Sequence, residues 1–156
     1  MLKIKIPGYG ILNLSSLVLD YNGTLACDGR LIEGVDERIR ILSEQLSIHV
    51  LTADTFGSVR DQLADLPCKL FVIPEGEQDK AKADFVESLG SMNCVCIGNG
   101  RNDRSMLKNA ALGIAVVQAE GVAVDALLAA DVATCRIVDA LDLLLHPLRL
   151  TATLRF

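Results

Sequence analysis

The strongest constraint on the fold of this chain is an alternation along its length. Short, continuous apolar runs at 17–19, 48–51, 70–73, 94–97, 113–117 and 132–135 are separated by stretches with helical spacing. In 35–45, Val35, Ile39 and Leu42 share one face. Val59 and Leu63 do the same in 55–63, and Ala81, Phe85, Val86 and Leu89 in 78–89. Further helices are predicted over 102–109, 121–129 and 137–145. Apolar strands without a polar face, spaced by helices, specify a parallel sheet covered on both sides, a three-layer α/β/α sandwich. Ahead of it, Leu2, Ile4 and Ile6 alternate with Lys3 and Lys5. Pro7-Gly8-Tyr9-Gly10 supplies a turn, and Leu12 and Leu14 resume the alternation, which predicts an N-terminal β-hairpin.

The chain of 156 residues is sized for one domain, taken as 1–156, with no linker, repeat or low-complexity stretch. Its formal net charge of −5 argues against a general nucleic-acid binder. Apolar residues are 51% and aromatics 4%, so the core is aliphatic. The mean hydropathy of +0.37 is high, yet the longest apolar run, 110–117, is far short of the ~20 residues of a membrane span. Five cysteines without framework spacing and an alternating N-terminus without a secretory apolar segment lead us to expect free thiols, no membrane partner and a cytoplasmic location.

In parallel α/β sheets, functional groups collect beyond the carboxyl ends of strands. The first central run ends in Asp20-Tyr21-Asn22-Gly23-Thr24, where Asp20 can project from a strand tip and the Thr24 hydroxyl can brace the loop; an ordinary Asx turn is the plainer reading. The second ends in Thr52-Ala53-Asp54, where Thr52 is either a helix cap or an anion contact. The fourth ends in Gly98-Asn99-Gly100-Arg101-Asn102-Asp103, a polar turn with oxygen atoms for a hard cation. Lys82 stands on the preceding helix, where a single lysine is ordinarily solvated.

Taken in order, these motifs resemble the haloacid dehalogenase (HAD) superfamily, and within it most of all the phosphorylation domain of P-type ATPases. Leu51-Thr52-Ala53-Asp54 looks like Leu-Thr-Gly-Asp; Lys82-x-x-Phe85-Val86-x-x-Leu89 looks like Lys-x-x-Ile-Val-x-x-Leu; and Gly98 to Leu107 looks like Gly-Asp-Gly-x-Asn-Asp-x-x-x-Leu. Gly113-Ile114-Ala115 and Ala129-Ala130-Asp131-Val132 also have counterparts. The resemblance runs over 17–132 and implies a Mg²⁺-dependent phosphohydrolase or phosphotransferase. Asp20 would be the nucleophile, forming an aspartyl phosphate. Thr52 and Lys82 would bind and neutralise the phosphoryl group, with Gly23, Ala53 and Asn102 completing its cradle. Asp20, the Asn22 backbone carbonyl, Asp103 and, directly or through water, Asn99 would hold Mg²⁺.

Two departures stand out. Most phosphatases of the superfamily carry an Asp two residues after the nucleophile as general acid and base. Asn22 stands there instead and cannot exchange protons near neutral pH, so a phosphorylated Asp20 is expected to hydrolyse slowly. Asn99 replaces the first Asp of the metal loop, which removes one negative charge. The alternative is therefore a non-catalytic descendant that binds phosphate or a protein. Asp20 to Thr52 and Thr52 to Lys82 each span about thirty residues, enough for one helix and one strand and too little for a cap domain. An open site of this kind suggests a homo-oligomer or a large phosphorylated substrate. The segment 146–156 reads as a terminal helix or arm docked on its own domain, or else as a subunit contact. Cys94, Cys96 and His49 read as core, Cys27 as non-catalytic, and Glu75, Glu77 and Asp79 as a solvated helix start.

Overall fold

The computed structural model describes residues 1–53 and 58–156. The chain opens with β1 (Leu2–Ile6) and β2 (Gly10–Leu14), then β3 (Ser16–Asp20) and the two-residue strands β4 (Ala26–Cys27) and β5 (Arg30–Leu31). Next come α1 (Val35–Leu42), β6 (Ser47–Thr52), α2 (Ser58–Leu63), β7 (Lys69–Val72) and α3 (Gln78–Ser88). The remainder is β8 (Cys94–Gly98), α4 (Arg104–Asn109), β9 (Leu112–Val116), α5 (Val124–Ala129), β10 (Val132–Thr134), α6 (Ile137–Leu145) and α7 (Pro147–Leu154).

Six strands form one sheet in the order β10-β9-β8-β3-β6-β7, every neighbouring pair parallel. From β3 the chain runs outward through β6 to β7, then crosses back to β8 on the other side. Crevices for ligands form where the winding direction reverses in this way, and here the reversal lies beside the carboxyl end of β3. The pleat divides the core. Leu17, Leu19, Val95 and Ile97 face α1 and α6 through Val35, Ile39, Leu42, Ile137, Leu141 and Leu144. Val18, Cys94 and Cys96 face α3, α4 and α5 through Val86, Met106, Leu107 and Ala126. Arg38 clamps α1 to α6 by a forked pair with Asp142, 2.7 and 3.1 Å.

The alternation at the N-terminus forms the expected hairpin, with Leu2 opposite Leu14 and Ile6 opposite Gly10, and it buries Ile4, Ile6, Leu12 and Leu14. The terminal segment docks on its own domain as α7. Leu150 is buried, and the Phe156 amide donates to Pro7 O at 3.2 Å. Between Asp20 and Thr52 the chain makes only the β4–β5 hairpin, α1 and β6.

Several details differ from the sequence expectations. The small β4–β5 hairpin was not anticipated; its tip places Asp28 at φ 50° and Gly29 at φ 75°, the left-handed pair that a two-residue turn requires. The run at 70–73 is an edge strand rather than one covered on both faces, and Phe71 and Val72 are exposed, because the sheet ends there. The start of the helix expected at 55–63 lies outside the described residues, which show α2 from Ser58. The helix expected from 121 begins at Val124, since the Ala123 amide is drawn to Asn99 O at 2.8 Å and the backbone there stays extended.

His49 lies inside β6, buried, with its ring edge-on to Phe85 at 5.6 Å. Its Nδ1 has no hydrogen-bond partner among the described residues. Burial, with help from Lys69, lowers its pKa. The unfolded chain therefore binds a proton that the folded chain resists, and stability present above about pH 6.5 is lost as the pH falls below it. Thermal and denaturant unfolding of His49→Leu and the parent protein at pH 7.5 and 5.5 should show the parent losing more stability than the variant on acidification.

Candidate active site

Strand tips bring the predicted residues together. Asp20 ends β3 and is nearly buried; Thr52 ends β6, one residue beyond the partner of Asp20; Gly98 ends β8 on the other flank. Lys82, one turn into α3, is 1% exposed and reaches back over the sheet. Its Nζ donates to Asp20 Oδ1 at 2.7 Å and to Asp103 Oδ1 at 2.6 Å. Lys82 is therefore not the solvated helix lysine of the plainer reading. It is the cation of a buried trio that carries one excess negative charge when both carboxylates are ionised.

Each carboxylate is also held from its other oxygen. Thr24 Oγ1 donates to Asp20 Oδ2 at 3.0 Å, so the threonine braces the loop as expected. Asp103 Oδ2 accepts from the backbone amides of Asn99 at 3.1 Å and Gly100 at 2.8 Å. This folds 101–103 into a 3-10 turn ahead of α4. Gly98 is required here because a Cβ would sit 2.6 Å from the Asp103 carboxyl group. Gly23, at φ 80°, meets both demands placed on glycine: a left-handed backbone, and no room for a Cβ beside the Asn99 amide.

Burial and the neighbouring Asp20 push Asp103 up to about 7, while Lys82 and the Gly100 amide act against them. For Lys82, burial opposes the charge, but Asp20 and Asp103 outweigh it and the pKa is raised. Both shifts express the same shortage of positive charge. The thiols show no activation: burial raises Cys96 well above its ordinary value, and Cys27 is raised by burial and by Asp28 and Glu120. All five cysteines are unpaired by disulfides.

Of the remaining sequence candidates, Asn99 joins the cluster. Its Oδ1 lies 3.2 Å from Thr24 Oγ1, and its Nδ2 donates to Gly121 O at 3.1 Å. Asn22 is exposed at the mouth of the site, between the buried Tyr21 and Gly23, and Ala53 is half-buried beyond Thr52. Asn102 is turned toward α3, donating to Gln78 Oε1 at 2.8 Å. Two residues escaped the sequence reading. Gln118 donates to Gly23 O at 3.0 Å and Thr24 O at 2.6 Å and accepts from the Ile137 amide at 2.9 Å, tying the loop after β3 to α6. Asp79 was read as solvated; instead it accepts from the Ser105 amide and hydroxyl at 2.8 and 2.7 Å and from Arg104 at 3.1 Å. Nothing local in the sequence marks either one, because each partner comes from a distant element.

The donor set suits a hard divalent cation. Asp20, Asp103, the side chain of Asn99 and the backbone carbonyl of Asn22 all offer oxygen atoms of the kind such a cation takes. Thr24 has one proton for two acceptors, Asp20 Oδ2 and Asn99 Oδ1, so these oxygens face one another with too little positive charge between them. Among the described residues the cluster offers two carboxylates, Asp20 and Asp103, and no group of three or more His, Cys, Asp or Glu side chains is placed to hold a metal.

No protein-family model matches the chain. The uncharacterized protein MJ0073 of Methanocaldococcus jannaschii is 44% identical over 84 residues, which is 51% of this chain and 90% of that protein. The uncharacterized protein MJ0072 of the same organism is 54% identical over 39 residues, 25% of this chain and 89% of that protein. Among solved structures, the cobalt-bound deoxy-D-mannose-octulosonate 8-phosphate phosphatase of Haemophilus influenzae superposes with a TM-score of 0.71 at 18% identity, covering 86% of this chain and 88% of the other. The 3-deoxy-D-manno-octulosonate 8-phosphate phosphatase of Moraxella catarrhalis, in complex with magnesium ion, phosphate ion and a KDO molecule, gives 0.69 at 16% identity over 86% and 87%. A HAD superfamily (subfamily III A) hydrolase assigned as putative, from Legionella pneumophila, gives 0.72 at 16% over 92% and 88%. These likenesses establish a HAD-like fold. Among the described residues, no helix is long and apolar enough to cross a membrane.

Removing the cation of the trio should leave two buried carboxylates facing one another. Lys82→Met is expected to cost about 3–5 kcal/mol at neutral pH. The double variant Lys82→Met/Asp103→Asn should recover part of that loss. Equilibrium denaturation of the three proteins checks the ordering.

Proposed function

The chain belongs to the same family as MJ0073 of Methanocaldococcus jannaschii and has a HAD-like fold, and from that premise we propose that it is a phosphohydrolase or phosphotransferase working through an aspartyl phosphate at Asp20. The observation that carries the proposal is Lys82, which bridges Asp20 and Asp103 from a third element. Three motifs far apart in sequence close on one buried point at the sheet's switch point, where an anion with transferable charge would be met by a fixed cation.

In this reading Asp20, presented from the end of β3, attacks a phosphorus atom. The P–O bond to the leaving group breaks as the bond to the carboxylate forms. Charge on the transferring group is met by the Lys82 ammonium and the Thr52 hydroxyl in a preorganised site. Asp20, the Asn22 carbonyl, Asn99 and Asp103 would hold Mg²⁺. When bound, it neutralises phosphoryl oxygens and supplies the positive charge that the trio lacks. Lys82 holds Asp103 and Asp20 in place, and Thr24 and Gln118 keep the nucleophile loop from shifting. The nearer likeness to P-type phosphorylation domains rests on the sequence motifs, and it agrees with a durable aspartyl phosphate because Asn22 offers no proton-transfer group.

The substitutions Asn22 and Asn99 favour a second reading, a binding domain without turnover. Covalent labelling decides between the two. Incubation with an aryl phosphate or with fluoroberyllate and Mg²⁺ should modify Asp20. Asp20→Asn should abolish the labelling, and Asp103→Asn should mainly raise the Mg²⁺ concentration needed. Turnover that persists unchanged in Asp20→Asn defeats the mechanism.

A separate prediction concerns Asn22. General acid–base help is worth ~10² to 10⁴ in rate, or about 3–5 kcal/mol of barrier. Asn22→Asp changes only the exposed side chain, so the fold should tolerate it. Steady-state hydrolysis of an aryl phosphate at saturating Mg²⁺ should rise at least about threefold, mostly in the dephosphorylation step. A folded variant without that gain excludes Asn22 as the limiting residue.

A further inference from the structure

We propose that Asp79 is a positioning residue: its carboxylate staples the start of α3 to the start of α4 and thereby sets Lys82 against Asp103. On α3, Gln78, Asp79 and Lys82 lie within one turn of each other. On the facing segment, Asn102, Asp103 and Ser105 follow in near succession. Three contacts join the two: Gln78 with Asn102 at 2.8 Å, Lys82 with Asp103 at 2.6 Å, and Asp79 with Ser105 at 2.7 and 2.8 Å. The Lys82–Asp103 contact is thus flanked by two others that fix the spacing of the elements carrying it.

The staple answers a need that the site itself creates. The first amides of a helix lack intrahelical acceptors, and an Asp at the N-cap ordinarily accepts one of them. Asp103 holds the N-cap position of α4 and makes no side-chain cap bond. Its carboxylate is committed to Lys82, Asn99 and Gly100. Ser105 is the second residue of α4, and its amide is one of those first donors; Asp79 accepts it from the neighbouring helix. Burial alone would raise the pKa of Asp79, but the Ser105 amide and hydroxyl and Arg104 bring it below its ordinary value. The Arg104 pair is half exposed and adds little on its own. Asp79 therefore carries out the capping that Asp103 gives up by turning into the site. Its consequence for catalysis rests on the reading of Asp20 as the phosphorylated residue.

The test follows the burial of Lys82 rather than turnover. Acetic anhydride labelling, read by mass spectrometry against the exposed Lys3 and Lys5, reports how often Lys82 leaves its pair. Asp79→Ala should speed Lys82 labelling by on the order of tenfold, the size of one lost half-buried hydrogen bond. Asp79→Asn, which keeps an oxygen for the Ser105 amide, should stay within about threefold of the parent. Leu150→Ala, which loosens the buried docking of α7 elsewhere, should leave Lys82 at the parent rate. An unchanged rate in Asp79→Ala, or equal acceleration in Leu150→Ala, overturns the proposal. Amide exchange of the unmodified protein gives a second check that needs no variant to fold: Ser105 should be protected, and rapid exchange there overturns the proposal as well. A parent protein that shows these patterns and never phosphorylates Asp20 keeps the staple and loses the functional reading.

Discussion

A single ammonium group, Lys82 Nζ, holds two carboxylates at 2.7 and 2.6 Å in a setting nearly closed to water. Much of the structure around it follows from that contact. A lysine at 1% exposure is tolerated because two carboxyl groups meet it and each is held from its far side. Thr24 braces Asp20, and the Asn99 and Gly100 amides brace Asp103. Glycines stand at 23 and 98 because any side chain there would occupy the space that the braced groups need.

The sheet makes this convergence geometrically inexpensive. Parallel strands end at one edge, and β3 sits between β6 and β8, so three strand tips and their loops open onto one crevice. The helices then set distance. α3 lays Lys82 across the crevice, and polar contacts between the start of α3 and the segment leading into α4 keep it there. Gln118 acts from the opposite flank, gripping two carbonyls of the loop after β3 while its own oxygen receives the first amide of α6. The site is a place where several element ends are tied to one another by short polar bonds, over a core that is aliphatic on both faces of the sheet.

The excess negative charge of the trio is the feature that links structure to chemistry. Two carboxylates with one ammonium cannot be at rest in a buried setting, and the raised pKa of Asp103 expresses this. A divalent cation would relieve it, and so would a proton. Asn99 and Asn22 bear on the arrangement in different ways: Asn99 brings an uncharged amide to the 99–103 turn, and Asn22 places no titratable group at the exposed end of the loop after β3.

The sequence by itself determined the order of the central strands and their helices, the N-terminal hairpin, the aliphatic core and the strand-end motifs, because periodicity and loop composition are local properties of the chain. It also placed Asp20, Thr24, Thr52 and Asp103 at element ends, where a carboxylate or hydroxyl is unusual enough to be noticed. What it left open was decided by neighbours distant in the chain. Lys82 looks like any helix lysine until β3 and the 99–103 turn are brought beneath it. Asp79 looks like a charge at a helix start until α4 presents the Ser105 amide. Gln118 carries no local signal at all, and 70–73 reads as a buried strand until the sheet is seen to end there. Burial and hydrogen bonding are properties of the assembled layers, so only the tertiary structure could turn these side chains from surface charges and polar filler into the supports of the site.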